Sequence, residues 1–192
     1  MTLVLTSGPA VEPVTLADAK AQLRIDGTAE DTLIASLILT SRLHVEAGLG
    51  LALNTQGWSY FLDAWPPGPQ ITLPLRPVQS VSAVRLYAED ESVQTVAPET
   101  YLLDLDAQRP RLVRRGATVW PAPSRAAGGI EIAFTAGYGD DAADVPAPIR
   151  QAILLLTAHW YDHRSPFEVG VVAAPMPGMV SDLLAPYRAV RL

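Results

Sequence analysis

One stretch constrains the fold more than any other: V-P-A-P-I-R-Q-A-I-L-L-L-T-A-H-W-Y-D-H-R, from Val145 to Arg164. Proline fixes φ near its helical value and has no N–H, so Pro146 and Pro148 suit a first turn, where that N–H would have no partner. Asp144, just before them, is the expected N-cap, with its charge at the positive end of the helix dipole. Ile149, Ile153, Leu156 and Trp160 recur at helical spacing, and Ala152, Leu154, Leu155 and Ala158 widen the stripe almost round the cylinder. A helix this apolar must be enclosed by other elements. His163 and Arg164 return basic charge at the far end, and Ser165-Pro166 stops the helix.

The enclosing elements are sought upstream. Residues 1–13 read as an extended arm. Thr15-Leu16-Ala17-Asp18 is close to a capping box, with Asp in place of the usual Glu, and opens a short helix marked by Leu16, Ala19 and Leu23. Asp26-Gly27 is its stop. A second helix begins near Ala29–Asp31, carries Leu33, Ile34, Leu37, Ile38, Ser41 and Val45 at helical spacing, and runs to Ala47. Gly48-Leu49-Gly50 ends it, because glycine takes the left-handed cap conformation without cost. The two helices form a hairpin whose apolar faces need a third partner.

The period then changes. Residues 57–62, 70–75 and 81–87 read as short strands, with Glu89-Asp90-Glu91 as a solvated tip. Tyr101, Leu103 and Leu105 alternate with polar neighbours, as do Ile130, Ile132 and Phe134 with Glu131 and Thr135, the pattern of half-buried antiparallel strands. The seventeen prolines cut this middle into pieces. The expected fold is α+β and mainly helical. An N-terminal helical hairpin and a long central helix form a bundle, with a small antiparallel β section inserted at 57–136. A tail follows, so the division is 1–166 for the main domain and 167–192 for the tail. In the tail, Phe167, Val169, Val171, Val172, Met176, Met179 and Val180 are apolar but broken by Gly170, Pro175, Pro177 and Gly178. Such a segment is too apolar for a disordered linker and suits binding to a partner. Ser181 to Tyr187 adds a short closing helix or turn.

Charge and composition narrow the function. Twenty acidic against fourteen basic residues give a net charge of −6, which argues against a protein that coats nucleic acid but suits a surface past which nucleic acid slides. The absence of cysteine removes disulfides, thiolate metal sites and a cysteine nucleophile. The start, M-T-L-V-L-T-S-G-P, has no basic segment and too short an apolar run for a signal peptide, and no run approaches the ~20 apolar residues of a membrane helix. A soluble protein held in the cytoplasm until assembly is expected.

No catalytic constellation stands out. His159 and His163 lie four apart with Asp162 beside them, a spacing that can hold zinc, but Trp160 stands where a metalloprotease has its Glu. A small metal-dependent hydrolase built on His159 and His163 is the alternative from another class; helix-end capping is the simpler role for both. Thr135-Ala136-Gly137-Tyr138-Gly139-Asp140-Asp141 sits where a phosphate loop would, yet lacks its third glycine and its Lys, and two aspartates would repel phosphate. A tight turn is the better reading. Asp140, Asp141 and Asp144 are short of ligands for a cation in any recognisable order. Arg109, Arg111, Arg114 and Arg115 lie on a strand whose alternate residues face opposite ways, so they need not form one patch.

Taken in order, the segments T-L-A-D-A-K-A-Q-L-R-I-D, H-V-E-A, L-P-L-R-P-V-Q-S-V-S-A-V, Y-L-L-D-L-D, V-W-P, F-T-A-G-Y-G and the helix ending W-Y-D-H-R carry a resemblance. Over residues 13 to 166 the chain resembles the head–tail connector (adaptor) proteins of long-tailed phages and of gene transfer agents. The resemblance implies a virion structural protein with no catalytic activity, cofactor or metal. It implies a ring of twelve subunits beneath the portal protein, with DNA passing through its channel and a stopper or other tail component on the opposite side. A stopper itself is the rival within this class. The C-terminal segment of such adaptors docks on the portal. Phe167, Val169, Val171, Val172, Met176, Met179, Leu183, Leu184 and Tyr187 are the residues expected to do so here.

Overall fold

The computed structural model describes residues 1–105, 107, 109–116, 118–163 and 178–188. It is 35% helical with 28% strand, in four α-helices and two antiparallel sheets. The expectation of a mainly helical protein is therefore wrong. Helical periodicity is visible within a single segment. The strands are short and proline-broken, and they become a sheet only by pairing across long sequence separations. By internal contacts the chain divides into two compact units: Met1–Ala10 with Gly50–Tyr138, and Val11–Leu49 with the chain from Gly139 onward.

The first unit holds the sheets. Its strands are β1 (Thr2–Ser7), β2 (Gln56–Leu62), β3 (Gln70–Thr72), β4 (Val78–Tyr87), β5 (Val93–Thr95), β6 (Tyr101–Asp104), β7 (Arg111–Arg114) and β8 (Ile130–Ala136). The larger sheet has the order β1-β2-β8-β4-β5 and the smaller the order β3-β7-β6. The last strand in sequence, β8, thus lies at the centre. Phe134 stands opposite Trp58 on one side and Val81 on the other. Ile130, Ile132, Phe134 and Ala136 alternate along β8 and are at most 2% exposed. Each large side chain so placed contributes about 1.5–3 kcal/mol by burial. Trp65 stacks on Trp120, with centroids 4.6 Å apart, and donates from Nε1 to the Pro121 carbonyl at 2.7 Å. The supposed N-terminal arm is in fact an edge strand: Thr2 pairs with Phe61 and Leu5 with Trp58.

The second unit holds the helices α1 (Leu16–Leu23), α2 (Asp31–Leu49), α3 (Ala147–Asp162) and α4 (Gly178–Leu184). The capping box at α1 forms as read: the Asp18 N–H donates to Thr15 Oγ1 at 3.1 Å, and the Thr15 N–H donates to the Asp18 carboxylate at 3.2 Å. Packing of α3 on α1, α2 and α4 encloses Ile149, Ile153 and Leu156, all at most 1% exposed, while Trp160 stays half-buried. The expected N-cap is displaced. Pro146 takes that position with extended backbone and no side-chain bond, and Asp144 instead accepts from the Asp141 N–H at 2.9 Å in the preceding turn.

Candidate assembly surfaces

The helix α2 distributes its charges in an unusual way. Arg42 and Glu46 sit in mid-helix yet are only 5% and 8% exposed. Arg42 donates from Nε to Glu12 at 2.8 Å and from Nη1 to Glu46 at 2.7 Å, so its charge is met on both sides. With both charges inside, the outer face from Thr32 to Gly48 carries no Asp, Glu, Lys or Arg. Leu33, Leu39 and Leu43 on that face are 36%, 41% and 50% exposed.

Of the residues expected to dock on a partner, Phe167, Val169, Val171, Val172 and Met176 lie outside the described residues. The other four fall on α4 and the turn after it. Met179 is 63% exposed, Leu183 and Tyr187 are half-buried, and Leu184 is buried together with Val180, which fastens α4 to its own unit.

The chemical candidates resolve into local structure. The rings of His159 and His163 lie 4.5 Å apart at the end of α3, where the His163 main-chain N–H and Nδ1 both engage the His159 carbonyl, the ring at 2.8 Å. Among the described residues no group of three His, Asp or Glu side chains is placed to hold a metal ion. Gly137 has φ of +138°, as the tight-turn reading requires, and a Cβ there would lie 2.5 Å from the Asn54 main chain. Arg111 binds Asp104 and Gln70, each at 2.8 Å, and Arg115 donates to the Tyr101 carbonyl at 3.0 Å. These two arginines tie their own sheet together.

Sequence reasoning missed two features. Alternation placed Glu131 on a solvated face; it is 6% exposed and accepts from Ser59 at 2.6 Å, Tyr87 at 2.6 Å and Arg85 at 3.1 Å. Burial alone pushes its carboxyl pKa up, but these three bonds and the Arg85 charge outweigh burial and hold it below the usual value. The Tyr87 hydroxyl is raised, first by its bond to Glu131. The outer face of α2 was also missed, although a signal existed: between Thr32 and Gly48 the sequence has only two charged residues, four apart and therefore on one side of the helix.

The comparisons with known proteins agree in one direction. The family described as phage gp6-like head-tail connector protein matches residues 13–100. Among solved structures, a chain in the virion of a native gene transfer agent particle is 31% identical, with a TM-score of 0.87 over 100% of this chain and 97% of that one. A chain in the neck of an empty gene transfer agent particle, computed with C6 symmetry, is 30% identical with a TM-score of 0.86 over the same shares of the two chains. One in the neck of a native particle, computed with C12 symmetry, is 30% identical with a TM-score of 0.84, again over 100% and 97%. No curated protein matches significantly. Two antiparallel sheets and four helices that superpose along their whole length on a particle's neck component leave one conclusion: the chain belongs to the gp6-like head–tail connector family and is a structural adaptor of the head–tail junction.

Proposed function

We propose that twelve copies of this chain form a ring that docks on the portal of a phage or gene-transfer-agent head and passes the DNA channel on to a stopper or tail component. The observation that carries this reading is the full-length likeness to a neck chain solved under twelve-fold symmetry. The acidic balance of −6 supports it, since a channel wall that repels DNA lets it slide. The adaptor acts without catalysis and without a cofactor.

The portal contact is assigned to the tail, residues 167–192, through Phe167, Val169, Val171, Val172, Met176, Met179, Leu183 and Tyr187, while Leu184, buried in its own unit, holds α4 in place. Apolar side chains inserted between portal subunits offset the cost of ordering the segment by the surface they bury. Met179 already stands exposed for such a contact. The test is electron microscopy of this chain mixed with the portal protein of the same particle. Rings stacked on the portal are expected from the full chain and not from a Phe167→Asp, Val171→Asp, Met179→Asp chain, which keeps the buried Val180 and Leu184 of α4. Portal binding by the substituted chain overturns the role of the tail, and no binding by the full chain overturns the adaptor–portal reading.

A further inference from the structure

We infer that the outer face of α2 is the surface by which each copy of this chain holds its neighbour in the ring, an inference that rests on the ring reading above. A helix at a protein surface normally turns charge outward and apolar groups inward. In α2 the apolar stripe of Ile34, Ile38 and Val45 is turned inward as usual, but the charges go inward with it and further apolar groups are left outside. Arg42 and Glu46 are buried against each other and Glu12, while Leu33, Leu39 and Leu43 stand in solvent among Ser36, Thr40 and Ala47.

The charge balance selects the occupant. Copies that each carry −6 repel, and facing like charges across an interface is costly, so they meet best where neither adds charge. The face from Thr32 to Gly48 meets that condition. It offers no Lys or Arg to a phosphate, which removes DNA and anionic lipid as occupants.

Area separates a second copy from a different protein. Nineteen residues of helix span about 28 Å at 1.5 Å per residue. A strip about 10 Å wide then offers on the order of 300 Å² per copy, against the roughly 800 Å² per partner of a stable complex. One such contact does not hold a pair together. Repeated around a closed ring, where every copy gives this face to one neighbour and receives it from the other, many weak contacts act together. The free chain is accordingly a monomer, and the ring closes when a partner ring gathers the copies.

The absence of native cysteine makes the test direct. A Leu43→Cys chain carrying a maleimide photocrosslinker, assembled on the portal and irradiated, is expected to yield products of two copies of this chain, at least tenfold more than the unassembled chain at the same concentration. Crosslinks solely to portal or stopper, or solely within one copy, overturn the inference. A Leu39→Glu, Leu43→Glu chain with unchanged circular dichroism is expected to need at least tenfold higher concentration to form rings on the portal. Rings on the portal at the unaltered concentration sink this inference alone. Absence of rings from the unsubstituted chain mixed with the portal sinks the ring reading, and this inference with it.

Discussion

The hydroxyls of Ser41 and Thr157 lie 3.0 Å apart where α2 meets α3, and both residues are at most 1% exposed. Ser41 gives its single proton to the Leu37 carbonyl at 2.8 Å, so Thr157 is the donor between the two. Ser41→Ala removes the acceptor from a buried donor and is expected to cost about 1–3 kcal/mol. Thr157→Val costs less, since Ser41 keeps its bond to Leu37. The double substitution is expected to cost less than the sum by at least ~0.5 kcal/mol, read from urea unfolding of all four proteins. Strict additivity would mean that the two hydroxyls do not act as a pair.

The buried charges of the same helix give a larger effect. Arg42→Ala takes the cation from between Glu12 and Glu46 and is expected to destabilise by about 3–5 kcal/mol. Arg42→Met together with Glu46→Leu and Glu12→Gln, which removes all three charges and nearly keeps the volume, is expected to recover most of that loss. Equal loss from both proteins in thermal unfolding would show that side-chain volume matters here and charge does not.

Gly137 combines a left-handed backbone with no room for a side chain. Its φ of +138° disfavours any side chain, and a Cβ would lie 2.5 Å from the Asn54 carbonyl oxygen, an atom of the main chain that cannot swing aside. Gly137→Ala is expected to cost roughly 2–4 kcal/mol from backbone strain and overpacking together. Gly27→Ala is the control, with φ of +125° but open space around it, and should cost clearly less. Similar denaturant midpoints for the two would overturn the steric argument.

Glu131 makes stability depend on acid. Its carboxyl is held below the ordinary value of 4.5, so the folded state binds its proton later than the unfolded chain does. The stabilisation is complete above pH 4.5 and is lost as pH falls from there through the lowered pKa of the folded state. Glu131→Gln is expected to be less stable at pH 7 by about 1–3 kcal/mol and to lose less on acidification. Parallel stability curves from pH 7 to pH 3 would count against it.

The helices were legible because their signals are local. The Thr15 and Asp18 cap, the α2 stripe of Ile34, Ile38 and Val45, and the α3 stripe of Ile149, Ile153 and Leu156 each sit within one segment, and all stand as read. The sheet was less legible because its logic is not local. The alternation of Ile130, Ile132 and Phe134 showed a strand, but nothing near Glu131 announces Ser59, Tyr87 and Arg85, which reach it from two other strands. Leu3, Val4 and Leu5 became a strand only because residues 58–61 lie beside them. The outer face of α2 lay in plain view, yet periodicity reports which residues are buried and says little about what the exposed ones lack.

The central place of β8 bears on how the chain is made. On the ribosome β2 and β4 both emerge before the strand that joins them, and neither can pair with β8 until residues 130–136 have been synthesised. Until then the nascent chain presents open strand edges of the kind that capture other chains. Crowding of many growing copies on one messenger is therefore a hazard before it is an advantage, and the speed of translation across the proline-rich middle sets how long that hazard lasts.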